Sequence, residues 1–224
     1  MQKKKWVVGV TAASLAAVVA IGATLAYFTS QTQSITNEFH VATGTDGITG
    51  ELKEPAWDGI EFGETEAQDP SDSTLGINQA KHILPGDTIP KNPTLKNTTQ
   101  ASATNTNGDD LSAYVAIKAV FPDNFTDYAS VTIDSTKWEL IDGETGTGSA
   151  VYLWVSDGNP AALAADDATD PLFSNVQIKS DVDSNTLKDF DIQLQGALIQ
   201  SKNLTDSNTI QQQLIDTLTS DSAE

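Results

Sequence analysis

From Leu111 to Phe121 the side chains alternate. Leu111, Ala113, Val115, Ile117, Ala119 and Phe121 fall on one face, and Ser112, Tyr114, Ala116, Lys118 and Val120 on the other. A period of two rich in β-branched residues predicts a strand, and the apolar members of the second set predict cover on both faces. Comparable patterns predict strands over residues 38–42, 88–97, 130–133, 138–141, 150–156, 175–179 and 189–200. Turn-rich clusters separate them at 105–110, 142–148, 157–160 and 181–185. Pro90 and Pro93 cannot donate to a ladder, so their strand belongs at an edge or a bulge. Many short strands divided by turns predict an all-β fold, an antiparallel β-sandwich.

Two stretches read as helical. Residues 161–165 are Ala-rich and follow Pro160; Ile210, Leu214, Ile215 and Leu218 keep helical spacing, with Asn208 available as a cap. Residues 55–80 are acidic and turn-rich and read as a long loop or insertion. The run Leu84-Pro85-Gly86-Asp87-Thr88 reads as a tight turn, because Pro followed by Gly suits a reversal. No internal repeat is present, and residues 37–224 read as a single sandwich domain.

The first 26 residues have a different character. Lys3, Lys4 and Lys5 precede an apolar run from Trp6 to Ala23, and Thr24-Leu25-Ala26 offers small side chains at −3 and −1. This is the layout of a secretory signal peptide, with cleavage expected between Ala26 and Tyr27. A retained membrane anchor is the alternative, though the Ala, Gly and Thr content makes the run a weak one. Cleavage leaves 224 − 26 = 198 residues, with 27–36 as an N-terminal extension.

Composition narrows the chemistry. The 12 Lys and 31 acidic residues give a net charge of −19, which becomes −19 − 3 = −22 once three lysines leave with the signal peptide. So acidic a chain argues against a nucleic-acid partner, which requires a clustered basic face. With no cysteine there is no disulfide, thiolate zinc site or thiol nucleophile. His40 and His82 stand apart and outside any paired-histidine zinc motif, and the G-x-S-x-G elbow is absent. Paired-carboxylate glycosidase chemistry stays open, although such sites usually carry aromatic sugar platforms and aromatics are 7% here. Asp181, Asp183 and Asn185 begin a calcium-loop pattern, but Thr186 replaces the turn glycine and Ile192 the bidentate glutamate. Asn97, Asn124 and Asn203 open N-x-[ST] triplets that arise often by chance. No catalytic residue, metal site or cofactor is expected.

The segment Gly22-Ala23-Thr24-Leu25-Ala26-Tyr27-Phe28-Thr29, followed by Asn37-Glu38-Phe39, resembles the cleavage region of the TasA/camelysin-like family, precursors for a SipW-type signal peptidase. Further matches follow in order: Leu84-Pro85-Gly86-Asp87, Lys91 to Asn97, Ala113-Tyr114-Val115-Ala116-Ile117, Trp138, Val151-Tyr152-Leu153-Trp154, Pro171-Leu172-Phe173 and Gly196-Ala197-Leu198-Ile199-Gln200. The resemblance implies a jelly-roll-like sandwich, with one or two short helices here, secreted and assembled into biofilm-matrix fibres. It implies donation of the mature N-terminus as a strand: Tyr27, Phe28, Thr29, Ser30, Gln31, Thr32, Gln33 and Ser34. The expected partners are other copies of the chain head to tail, the signal peptidase during export, and an accessory matrix or anchoring protein. Membrane contact is expected only through the uncleaved signal peptide. Camelysin-like relatives have been classed as metallopeptidases, an activity not carried over because the zinc motif is missing. The rival readings are a monomeric adhesin-like binding module at the cell surface and, third, a secreted peptidase.

Overall fold

The computed structural model describes residues 48–99, 111–183, 187 and 189–220. The expected strand at 38–42 and turn at 105–110 lie outside them. The eleven strands named below pair antiparallel throughout. The main sheet runs in the order β11 (Gln193–Gln200), β4 (Ala113–Phe121), β7 (Thr147–Ser156), β6 (Trp138–Glu144). Two short strands join it: β8 (Asn159–Pro160) on β7 and β9 (Ala162–Leu163) on the start of β4. Between β7 and β8 the turn Asp157-Gly158 has φ of 52° and 74°, the positive pair a tight hairpin requires.

The second layer is built from β1 (Gly50–Lys53) on β3 (Thr94–Asn97), and from β10 (Asn175–Ile178) between β2 (Thr88–Pro90) and β5 (Ala129–Val131). Loop hydrogen bonds join the two pieces. Lys91 N donates to Ser174 O at 3.1 Å, Leu172 N to Pro93 O at 2.8 Å, Thr169 N to Leu95 O at 2.9 Å and Asn97 N to Asp167 O at 3.0 Å. Residues 166–178 therefore track 88–97 along its whole length. The expected single strand over 88–97 is split at Lys91-Asn92-Pro93, and its prolines lie away from any central strand, as their missing donors require.

Alternation along β4 is explained by cover on both faces. Val115, Ile117, Ala119 and Phe121 meet Leu52, Ile89, Leu95, Val176 and Ile178 of the second layer. Ala116, with Val151, Leu153, Val155, Ala197 and Ile199, lies under Ile210, Leu214 and Leu218 of a C-terminal helix (Ser207–Ser220). This helix is the fourth, after α1 (Pro55–Asp58), α2 (Gly76–Gln79) and α3 (Phe125–Tyr128), and is called α4. Lys118 Nζ reaches its last turn, donating to Leu218 O at 3.0 Å, where a cation complements the helix dipole.

Four expectations are corrected. Residues 161–165 are not helical: Ala162 and Leu163 pair with Tyr114 and Ala113, because the start of β4 offers their backbone ladder partners and Leu163 a buried place in the core. The helix cap is Asp206 rather than Asn208; Asp206 Oδ2 accepts from Thr209 N at 2.8 Å, the N3 amide. The cluster 142–148 is mostly strand, with only Thr145-Gly146 turning between β6 and β7. Residues 55–80 are not simply loop, since α1 and α2 anchor them through buried Trp57, Leu75 and Ala80.

Candidate functional site

The expected cleavage pair Ala26–Tyr27 and the expected donor residues Tyr27, Phe28, Thr29, Ser30, Gln31, Thr32, Gln33 and Ser34 lie outside the described residues. What the structure describes is the sheet edges, where an added strand would have to pair. Strand addition needs a row of N–H and C=O groups not already used by a neighbour.

The edges differ in how they are guarded. β6 carries exposed Glu139, Asp142 and Glu144, and its pairing with β7 slips between Leu140 and Asp142 and again between Gly143 and Glu144. Charge and bulges are the usual means of blunting an edge. β5 is three residues long. β2 is closed by α2, where Gly76 packs so tightly on the Pro90 carbonyl that a Cβ would not fit. β1 offers four residues. Thr98 N donates to Thr49 O at 2.9 Å, so by alternation Glu51 and Lys53 address β3 while Gly50 and Leu52 point their backbone groups away from it.

β11 is different. It is eight residues long and pairs with β4 in unbroken register from Gln193↔Val120 to Gln200↔Ala113. Its sequence, QLQGALIQ, has no charge and no proline. Ser201 N donates to Ser112 O at 3.0 Å, continuing the same register, so odd-numbered residues address β4. Leu194, Gly196, Leu198 and Gln200 then aim their N–H and C=O groups outward. Among the described residues no hydrogen bond reaches that outer row. The faces, in contrast, are filled: Leu194 and Leu198 enter the core between the layers, and Ala197 and Ile199 lie under α4. β1 approaches from the second layer, with Gly50 so close to the Leu198 side chain that a Cβ there would force the Leu198 methyls to shift.

A second cluster lies under the loop 55–80. Lys91, 3% exposed, places Nζ 2.8 Å from each oxygen of buried Glu54 and 4.5 Å from the centre of the Trp57 ring. Only the Oε2 contact has hydrogen-bond geometry, so Oε1 has charge compensation but no hydrogen bond. Burial raises the Glu54 carboxyl above its ordinary pKa, with Lys91 opposing the shift. The adjoining cavity of about 30 Å³, lined by Trp57, Ile89, Lys91, Val176, Phe190 and Ile192, has room for water but not for a substrate. Neither the periodicity of 88–97 nor the acidity of 55–80 announces this pair. Its sequence signal is a lysine held between two prolines.

The remaining candidates are not drawn together. His82 is exposed at the end of the 3-10 turn Ala80–His82, and His40 lies outside the described residues. Among the described residues no three His, Asp or Glu side chains are placed to hold a metal, Asp181 and Asp183 included. Asn97 is fully buried, donating to Leu111 O at 2.9 Å and Leu163 O at 3.0 Å, so it is a structural tie rather than a glycan acceptor. Among the described residues no helix is long and apolar enough to cross a membrane. The chain matches no protein-family model, no curated protein and no solved structure.

Proposed function

We propose that this chain is an exported structural subunit that self-assembles into extracellular fibres of a biofilm matrix. After cleavage between Ala26 and Tyr27, residues 27–34 of one copy add as a strand to a sheet edge of the next. The observation that carries this reading is an antiparallel sandwich that, among the described residues, keeps a long, unpaired edge strand while its other edges are charged, bulged, short or covered. The donor has matching properties. None of its side chains is charged, its Thr and Gln residues favour extended pairing, and cleavage frees the large apolar Tyr27 and Phe28 at its tip.

A strand given by each copy to the next is a heterologous, non-closing contact, so the product is a filament rather than a ring. The partners are other copies of the chain, the signal peptidase on the way out, and an accessory matrix or anchoring protein that holds the finished fibre. No catalytic step is part of the role. Electron microscopy of protein beginning at Tyr27, beside protein beginning at Ile35, tests it at neutral and mildly acidic pH. Fibres from the first and none from the second are expected. Monomers from both would overturn self-assembly and favour an adhesin-like binding module instead.

A further inference from the structure

We infer that the outer edge of β11 is the acceptor, and that its occupant is residues 27–34 of a second copy, hydrogen-bonded to the backbone of Leu194, Gly196, Leu198 and Gln200. The inference rests on the strand-donation reading above and assigns its receiving half. Length fits first: β11 has eight residues, and residues 27–34 number 34 − 27 + 1 = 8. Each spans about 26 Å at about 3.3 Å per residue, so the two rows of backbone groups are coextensive.

Chemistry fits next. The chain is strongly acidic, yet neither β11 nor the donor carries an acidic side chain, so their pairing brings no like charges into opposition. A strand lying beyond β11 alternates its side chains between the same two faces. Neighbouring Tyr27 and Phe28 therefore point to opposite sides. One extends the interlayer core beside β1 and Leu198; the other extends the cluster of Ala197 and Ile199 past α4. The chain's path fits as well. Gly50 of β1 lies against Leu198, and residues 35–47 separate the donor from the first described residue, Ile48. The described chain thus begins near β11, and thirteen residues reach at most about 45 Å, enough for the donor to span to the corresponding edge of an adjacent copy.

The absence of native cysteine makes crosslinking a clean test. Mature chains carrying Thr29→Cys, Ser30→Cys, Thr32→Cys or Gln33→Cys are mixed during assembly with chains carrying Gln193→Cys or Gln200→Cys, at the two exposed ends of β11. Chains carrying Glu139→Cys, on exposed β6, serve as the comparison. Because a disulfide requires Cβ atoms about 4 Å apart, at least about tenfold more interchain disulfide to β11 than to Glu139 is expected in fibres. Fibres that crosslink through Glu139 instead would overturn β11 as acceptor while leaving strand donation standing. If a further chain carrying both a donor and a β11 cysteine closes a disulfide within itself, while the mixed single-cysteine chains form none between them, the segment folds back and the inference is overturned. Failure of the unsubstituted mature chain to form any fibre would overturn the underlying reading itself.

Discussion

Lys91 and Glu54 show how much a single residue's role depends on what surrounds it. Each is a charge that sequence alone would assign to a solvated surface, yet both are buried and paired at 2.8 Å. Removing one partner leaves the other charge uncompensated, so Glu54→Gln is expected to cost about 3–5 kcal/mol in urea unfolding at pH 7. The double variant Glu54→Gln/Lys91→Met should recover much of that loss, because neither charge is then stranded. Asp206 behaves oppositely. It is exposed, and hydrogen bonds from the Thr209 hydroxyl and amide hold its carboxyl below the ordinary range. A lowered folded-state pKa contributes stability that is complete above about pH 4 and lost as pH falls below it. Asp206→Ala should therefore lower Tm at pH 7, and the gap to the unsubstituted chain should narrow in scans toward pH 3. All four residues of Asp206-Ser207-Asn208-Thr209 are of types that cap helices, and only the register of α4 on the sheet selects among them.

Among the elements, α4 is the one whose contribution can be read most directly. Ile210, Leu214 and Leu218 are buried and repeat every four residues, and the sequence pattern already placed them on one face. What they cover, the Ala116–Val151–Leu153–Ile199 face of the main sheet, is set by the fold. Leu214→Ala should cost about 2–5 kcal/mol in denaturant unfolding, through lost burial and the cavity left on that face. Strands were legible wherever a long alternation survived, as in β4, β7 and β11. The misread elements were short. Ala162–Leu163 is a strand only because β4 offers it two ladder positions, and Thr88–Asn97 breaks in two because two prolines interrupt the donors.

For the molecule as a whole, charge opposes assembly. In the filament proposed above, copies cleaved after Ala26 would carry about −22 and repel, and stacking them would concentrate the field. Assembly is expected to accelerate as pH falls toward 4, where carboxylates lose charge, and on adding salt or calcium, which screens them. Fibre counts by electron microscopy at pH 7 and pH 4.5, with and without calcium, check this. Equal counts across all four conditions would contradict it.

The amino-acid sequence by itself determined the class of the fold. Alternation with a period of two, turn clusters at short intervals and one stretch of helical spacing are local facts, and local facts survive without knowledge of partners. The tertiary structure alone decided that β11 lies at an edge, because edge status is the absence of a neighbour and, without a proline of the kind that marks β2, no residue encodes it locally. β11 and β4 are comparably apolar in sequence. One is flanked on both sides, while among the described residues the other leaves Leu194, Gly196, Leu198 and Gln200 facing outward. The buried Lys91–Glu54 pair was hidden for the same reason: two residues 37 apart in the chain meet only when the layers close.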